Sequence, residues 1–121
     1  MRSDSLNRLV VVALCLAALQ GCGDGPGSAP AAEAISRTLQ PQDAVLAGIY
    51  QRSCASCHTV AATGAPLAGD TAAWEPRLAK GMPVLVDNIV NGFAGMPPFG
   101  LCMDCDAAQF EALTLFMATG E

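Results

Sequence analysis

A stretch of five residues, Cys54-Ala-Ser-Cys57-His58, constrains the fold of this chain more than any other feature. The apolar residues before it recur at intervals of three and four, which predicts a helix. On a helix, Cys54 and Cys57 project from one face and His58 lies beside them. His58 is the only histidine in the chain. The fold must therefore present two thiols and one imidazole on the same side of one element.

This spacing is the signature of c-type haem attachment, in which two thiols bond to the vinyl groups and the adjacent histidine reaches the iron. Two alternatives use the same cysteines. A thioredoxin-like redox pair needs a βαβ pattern, which the chain does not show. A four-thiolate zinc site could combine Cys54 and Cys57 with Cys102 and Cys105, but it would leave the histidine unexplained.

The length of 121 residues allows one small domain. The net charge of −5 argues against a nucleic-acid-binding protein, which would carry a basic face. The aromatic residues are few, with one Trp, one Tyr and four Phe. A core of this size often needs a disulfide, a metal or a cofactor to be stable.

The N-terminal residues 1–21 predict an export signal. Arg2 and Arg8 flank a polar start, and residues 9–19 form an uncharged apolar run that is too short to span a bilayer. The run ends in Leu19-Gln-Gly-Cys22, which resembles the lipobox of bacterial lipoproteins. Cys22 is therefore expected to become the lipidated N-terminus, and Cys15 to be removed with the signal. Cleavage after Ala29-Pro-Ala31 and an uncleaved anchor are the alternatives.

Residues 22–38 are rich in Gly, Pro, Ala and Ser and predict a flexible tether. The folded domain is then expected to cover residues 39–121. Its apolar spacing predicts an all-α fold of about four helices. The first expected helix runs from Pro41 to Cys54, and the second from Ala73 to Lys80 with Pro76 in its first turn. The third runs from Pro83 and ends at Gly92. The fourth begins with an Asp106–Gln109 capping box and ends at Gly120.

Met96 is the candidate for a second axial ligand. With no second histidine, that position must be taken by a methionine or a less common group, or stay open. Met96 lies in a loop, and the following Pro97 favours an extended backbone that the next proline stiffens. A stiff loop that presents a thioether suits an axial ligand. The alternative is a loop methionine that packs on the surface.

Taken in order, these motifs make residues 42–119 similar to the class I c-type cytochromes, and more narrowly to the c-five type. The resemblance implies a helical shell around a single haem c. The segments that carry it are Gly48-Ile-Tyr50, Cys54-Ala-Ser-Cys57-His58, Gly64-Ala-Pro66, Trp74-Glu-Pro-Arg-Leu-Ala-Lys-Gly81-Met, Met96-Pro-Pro98 and Gly100-Leu-Cys102-Met-Asp-Cys105.

The resemblance assigns roles to individual residues. It implies that Cys54 and Cys57 attach the haem, with His58 as the proximal ligand and Met96 as the distal one. It also implies that the Pro66 carbonyl accepts the second N–H of the histidine.

Further roles follow from the same resemblance. Trp74 would pack near a haem propionate and donate its N–H there, with plain core packing as the alternative. Gly48 and Tyr50 would pack closely against the C-terminal helix. Cys102 and Cys105 would form a disulfide, with a reactive dithiol as the alternative.

The expected function is one-electron transfer, because two filled axial positions leave no site for a substrate. The chain is then expected to be a monomeric carrier and not an enzyme, tethered by lipid on the periplasmic side of a bacterial membrane. Only four cations follow Cys22, so docking of redox partners at an apolar haem edge is more plausible than docking by a lysine ring. The alternative is a haem subunit bound permanently to a larger periplasmic dehydrogenase or oxidase. A peroxidase would need an open iron and a distal acid–base group.

Overall fold

The computed structural model describes residues 28–121. The predicted signal peptide at residues 1–21, Cys22 and the first part of the tether lie outside the described residues. The described part is all-α, as the sequence predicts, and its only β pairing is an isolated bridge. Its α-helices are α1 (Ala29–Ser36), α2 (Ala44–Ile49), α3 (Ala55–His58), α4 (Thr71–Leu78), α5 (Met82–Asn91) and α6 (Ala107–Thr119).

The helix that leads to the cysteines begins later than predicted and changes its winding. Pro41 lies before the helix, and the side chain of Asp43 caps α2 by accepting the N–H groups of Val45 and Leu46, both at 2.9 Å. The segment Tyr50–Cys54 is then a π-helix that continues into α3. A π segment takes one more residue per turn and so rotates the residues that follow it.

The second predicted helix is displaced toward the N-terminus. Helix α4 spans Thr71–Leu78 because the Asp70 side chain accepts the Ala73 N–H at 3.1 Å and caps it. Pro76 consequently lies inside the helix rather than in its first turn. The other two predictions agree with the structure. Helix α5 ends before Gly92, and α6 begins with the Asp106–Gln109 capping box.

The core lies where α6 packs against the other helices. Tyr50 is fully buried, and its ring meets that of Phe116 edge-on at 4.9 Å between centroids. Leu113 and Met117 of α6 are 2% and 3% exposed, and Ile89 of α5 packs in the same cluster. Gly48 departs from the expected close packing, since a Cβ added there would meet no atom within 4 Å.

The predicted tether is wrong for residues 29–36, which form α1. Pro30 lies in the first turn, the segment is rich in alanine, and Glu33 pairs with Arg37 one turn later. Ser36 is fully buried against the rest of the domain. No helix in the described range 28–121 has both the length and the apolar character needed to cross a membrane.

Candidate functional site

The predicted site residues meet around one cavity of about 480 Å³. This volume lies within the range of about 300–1,000 Å³ typical of ligand and cofactor sites. The predicted attachment and ligand residues line the cavity together with buried apolar side chains of α5 and α6. The cavity is lined by Cys54, Cys57, His58, Pro66, Trp74 and Met96, together with Leu85, Ile89, Thr114 and Met117 among others.

The proximal side, defined here as residues 58–68 together with Trp74, orients the imidazole of His58. Nδ1 of His58 lies 2.8 Å from the carbonyl oxygen of Pro66. A carbonyl only accepts hydrogen bonds, so Nδ1 carries the proton and the lone pair of Nε2 is left for another partner. Burial lowers the pKa of His58, and the hydrogen bond to Pro66 partly offsets this effect. The lowered pKa keeps the ring neutral. A neutral ring with a free Nε2 is the form that binds a metal.

The two thiols of the motif are unpaired and face the same cavity. Cys54 ends the π-helix and Cys57 lies in α3, so the winding changes between the two cysteines. Burial raises the pKa of the Cys54 thiol to about 11. Both side chains are therefore available for covalent attachment of a group inside the cavity.

The distal side, defined here as residues 92–101 around Met96, is a loop closed by its own backbone. Phe93 and Met96 exchange two backbone hydrogen bonds, of 3.1 and 2.9 Å, across a tight turn. A Cβ on Gly92 would lie 3.0 Å from the carbonyl oxygen of Met96, and one on Gly100 would lie 3.1 Å from its methyl carbon. A side chain at either position would thus crowd Met96, at its backbone from Gly92 and at the end of its side chain from Gly100. Sequence reasoning identified Gly92 only as a helix stop.

Trp74 supports the imidazole from inside the protein. Its ring is stacked near that of His58, with centroids 5.8 Å apart and planes inclined by 27°. The indole N–H donates to the carbonyl oxygen of Leu67 at 2.8 Å. The expected donation of this N–H to a propionate is therefore wrong for this structure, because a backbone carbonyl of the proximal side already accepts it. The ring of Trp74 still lines the cavity.

The charged residues that line the cavity are positive, whereas the net charge of the whole chain is negative. Arg77 and Lys80 line it, and none of its lining residues carries a carboxylate. The remaining cations of residues 28–121 form ion pairs elsewhere, Arg37 with Glu33 and Arg52 with Asp104. An acidic protein thus presents a locally positive cavity, which suits a group with negative substituents.

The second cysteine pair lies outside this cavity. Cys102 and Cys105 form a disulfide with Cα atoms 5.4 Å apart. Asp104 lies beside the pair and binds Arg52. Because these sulfurs are bonded to each other, they do not supply the thiolates that a four-cysteine zinc site requires.

The residues present fit a covalently attached haem. The cavity offers two unpaired thiols, a neutral imidazole with one free nitrogen, and a thioether, inside walls that are mainly apolar. His58 and Met96 would hold the iron, and Cys54 and Cys57 would bond the porphyrin. Within the described residues, neither thiol of this set is paired in a disulfide.

Comparison with known proteins identifies similar sequences and a family. The family model described as cytochrome C oxidase, cbb3-type, subunit III matches residues 41–117. Cytochrome c-555 of Chlorobaculum thiosulfatiphilum is 52% identical over 46 residues, which are 38% of this chain and 54% of that protein. The chain thus spans about half the length of this relative, and 43% of the cytochrome c-555 of Chlorobaculum tepidum.

Two other relatives are covered more fully. Cytochrome c5 of Ectopseudomonas mendocina is 39% identical over 59 residues, 47% of this chain and 68% of that protein. Cytochrome c5 of Azotobacter vinelandii is 36% identical over 66 residues, 53% of this chain and 80% of that protein.

A solved structure has the same fold. It is titled as the electron transfer complex of nitrite reductase with cytochrome c, and the matched chain is 32% identical with a TM-score of 0.55. The match covers 64% of this chain and 95% of that one. Fold, donor set and relatives agree, and the chain belongs to the class I c-type cytochromes, a family that carries covalent haem c.

Proposed function

We propose that the chain is a one-electron carrier in which His58 and Met96 are the axial ligands of a single haem c. The observation that carries the proposal is the cavity that these two residues share with the thiols of Cys54 and Cys57. When bound, the haem supplies one-electron redox chemistry, and a thioether ligand favours its reduced state.

The protein side chains limit what such a cofactor can do. With both axial positions filled by residues of the chain, no coordination site is left for oxygen or a substrate. The Pro66 carbonyl holds the proximal ring, and the short turn at Phe93 holds the distal methionine. Side chains held in this way would move little if the haem gained or lost an electron. Arg77 and Lys80 would offset the charge of the propionates.

Redox partners would dock at the apolar mouth of the cavity. Phe93 and Leu101 line the cavity and are 57% and 64% exposed. Lys80 Nζ lies 6.0 Å from the centroid of the Phe93 ring, so one cation borders this patch. A small apolar patch suits transient docking of a redox protein, for which interfaces are usually below about 1,200 Å². The solved relative, which is in complex with nitrite reductase, supports docking of this kind.

We place the carrier on the periplasmic side of a bacterial membrane, as a monomer anchored by lipid on Cys22. The lipobox-like sequence at residues 19–22 supports the anchor. The disulfide between Cys102 and Cys105 supports an oxidising compartment. In a cell fractionation, Cys22→Ser should move the protein from the membrane to the soluble fraction. Unchanged membrane retention would refute the anchor.

A second candidate function is a haem-bearing subunit held permanently by a larger complex. The observation that favours it is the name of the matching family model, which describes a subunit of an oxidase. A free carrier would elute from a sizing column as a monomer, whereas a subunit would co-purify with one larger protein. Purification from the native membrane in mild detergent distinguishes the two.

The ligand assignment is tested with the haem-loaded protein and two methionine variants. Met96→Ala should abolish the thioether–iron charge-transfer absorption band while leaving one haem per chain. Met103→Ala is the matched control, because Met103 is 73% exposed and does not line the cavity. A band that survives in Met96→Ala, or disappears in Met103→Ala, would show that the axial assignment is wrong.

A further inference from the structure

We infer that α1 positions the proximal ligand from outside the region shared with the family. The family model begins at residue 41, whereas α1 spans Ala29–Ser36. Two polar residues of this helix contact the chain at His58 and just after it. The inference rests on the proposed function, since it takes His58 as the iron ligand.

The first contact is made by the hydroxyl of Ser36. It donates to the carbonyl oxygen of His58 at 2.9 Å, and the Ser36 side chain is fully buried. The same carbonyl accepts the Ala68 N–H at 2.8 Å. A carbonyl oxygen has two lone pairs, so both are used. The backbone of the ligand residue is therefore held from two sides, one of which is α1.

The second contact is made by the carboxylate of Glu33. One of its oxygens accepts the Ala61 N–H at 2.7 Å, and the other accepts from Arg37 at 2.6 Å. These hydrogen bonds, that of Arg37 foremost, lower the pKa of Glu33 and keep it ionised. A hydrogen bond to a charged acceptor is stronger than one between neutral groups. The turn that follows the ligand is thus also attached to α1.

The two contacts restrain one short stretch of chain that carries the hydrogen bond to the imidazole. The stretch begins at His58, turns at Ala61–Thr63 and returns to Pro66, whose carbonyl faces Nδ1. The geometry of that hydrogen bond sets the orientation of the ring and its strength as a metal ligand. Ser36 and Glu33 are therefore positioning residues, which act on the iron ligand through the backbone.

The test uses the haem-loaded full chain and two variants with matched controls. Ser36→Ala removes the buried hydroxyl, and Thr38→Ala is its control, because the Thr38 hydroxyl is exposed and bonds only to Ile35 in its own turn. Glu33→Ala removes the contact to Ala61. Its control is Arg37→Ala, which breaks the ion pair but leaves that contact in place.

Three readouts are compared across the set. Amide hydrogen exchange at Ala61 should be about tenfold faster in Glu33→Ala, because its acceptor is removed. Exchange at Ala68 should also be faster in Ser36→Ala, because the His58 carbonyl that accepts the Ala68 N–H is then held from one side only. The hyperfine-shifted ring protons of His58 and the midpoint reduction potential should also change in both variants. The two controls should match the wild type in all three readouts.

Two results would overturn the inference. Unchanged amide exchange would show that α1 does not restrain the loop. Faster exchange with unchanged His58 ring shifts and potential would show that the contacts stabilise the fold but do not position the ligand. Failure of the proposed function would be seen separately, as wild-type protein without hyperfine-shifted His58 protons, and the inference would fall with it.

Discussion

The proximal and distal sides of the cavity hold the two proposed iron ligands by different means. On the proximal side, His58 lies at the end of a helix, and a hydrogen bond of 2.8 Å to Pro66 orients its ring. On the distal side, Met96 lies in a turn that is closed only by backbone hydrogen bonds to Phe93. The proximal geometry thus depends on helical spacing, whereas the distal geometry depends on the shape of a loop.

Backbone conformation shows the same contrast. Between residues 54 and 66 the only positive φ is that of Gly64, at 75°. The distal side has several, and three of them belong to residues with a Cβ: Ala94, Phe99 and Leu101. A positive φ costs a residue other than glycine roughly 1–2 kcal/mol. The distal loop therefore holds Met96 against a conformational cost that the helix carrying His58 does not have.

The largest expected effect is that of Gly92→Ala on the distal side. An alanine there would combine a φ of +80° with a Cβ 3.0 Å from the Met96 carbonyl oxygen. We expect a loss of about 3 kcal/mol in the free energy of unfolding, from conformational strain and overpacking together. The thioether–iron band should weaken or disappear. Denaturant unfolding and absorption spectra of the haem-loaded protein measure both effects.

Gly64→Ala is the matched control for that variant. Gly64 has a similar φ of +75°, but a Cβ there would meet no atom within 4 Å. Only the conformational cost of about 1–2 kcal/mol is expected, with the band intact. Equal losses in the two variants would show that the contact of Gly92 with the Met96 turn is unimportant, and would weaken the contrast between the two sides.

The next effect concerns the disulfide that follows the distal loop. Cys102→Ala/Cys105→Ala should lower the free energy of unfolding by about 2 kcal/mol, the chain-entropy value for so short a closed loop. The loss should be accompanied by faster amide exchange at Met96 and Gly100, with no change at Ala68 on the proximal side. Wild-type protein treated with a reductant is the control. Faster exchange at Ala68 would contradict the separation of the two sides.

A smaller effect is expected for Trp74→Phe on the proximal side. The substitution keeps an aromatic ring but leaves the Leu67 carbonyl without the indole N–H. We expect a loss of about 1.5 kcal/mol in unfolding free energy, the cost of one unpaired buried polar group. The His58 ring proton shifts should change while the thioether–iron band persists. Loss of the band would mean that the two sides are coupled through Trp74.

The smallest effect is expected when the positive charge of Lys80 at the cavity mouth is removed. This residue belongs to neither the proximal nor the distal side. Lys80→Gln should lower the midpoint potential by about 20 mV, corresponding to roughly 0.5 kcal/mol for a solvent-screened charge. Arg37→Gln is the control, because Arg37 is ion-paired with Glu33 and does not line the cavity. The difference should shrink as salt is added. If Lys80→Gln leaves the midpoint potential unchanged, the Lys80 charge does not tune the haem, and its proposed role is limited to partner docking.

Sequence reasoning succeeded where local rules decide the structure. The spacing of Cys54, Cys57 and His58 predicted their common face because a helix repeats every 3.6 residues. The capping box at Asp106 predicted the start of α6 because its hydrogen bonds lie within one turn. Met96 could be singled out because the following Pro97 restricts the backbone locally.

Sequence reasoning failed where a contact between residues far apart in the chain decides the structure. The composition of residues 29–36 suggested a tether, although Pro30 and the Glu33–Arg37 spacing are helix signals. What stabilises α1 is the burial of Ser36 against the backbone of His58, twenty-two positions away in sequence. No local pattern contains that contact.

By itself, the sequence determined the attachment motif, the all-α class, the position of His58 on a helix and that of Met96 in a loop, because each depends on residues close together in the chain. The tertiary structure alone decided which acceptor the Trp74 N–H has, which glycines seat Met96, and that α1 contacts the proximal side. Those features depend on which backbone atoms approach one another after folding. Hydrogen bonds and close contacts between distant segments are settled only when the whole chain packs.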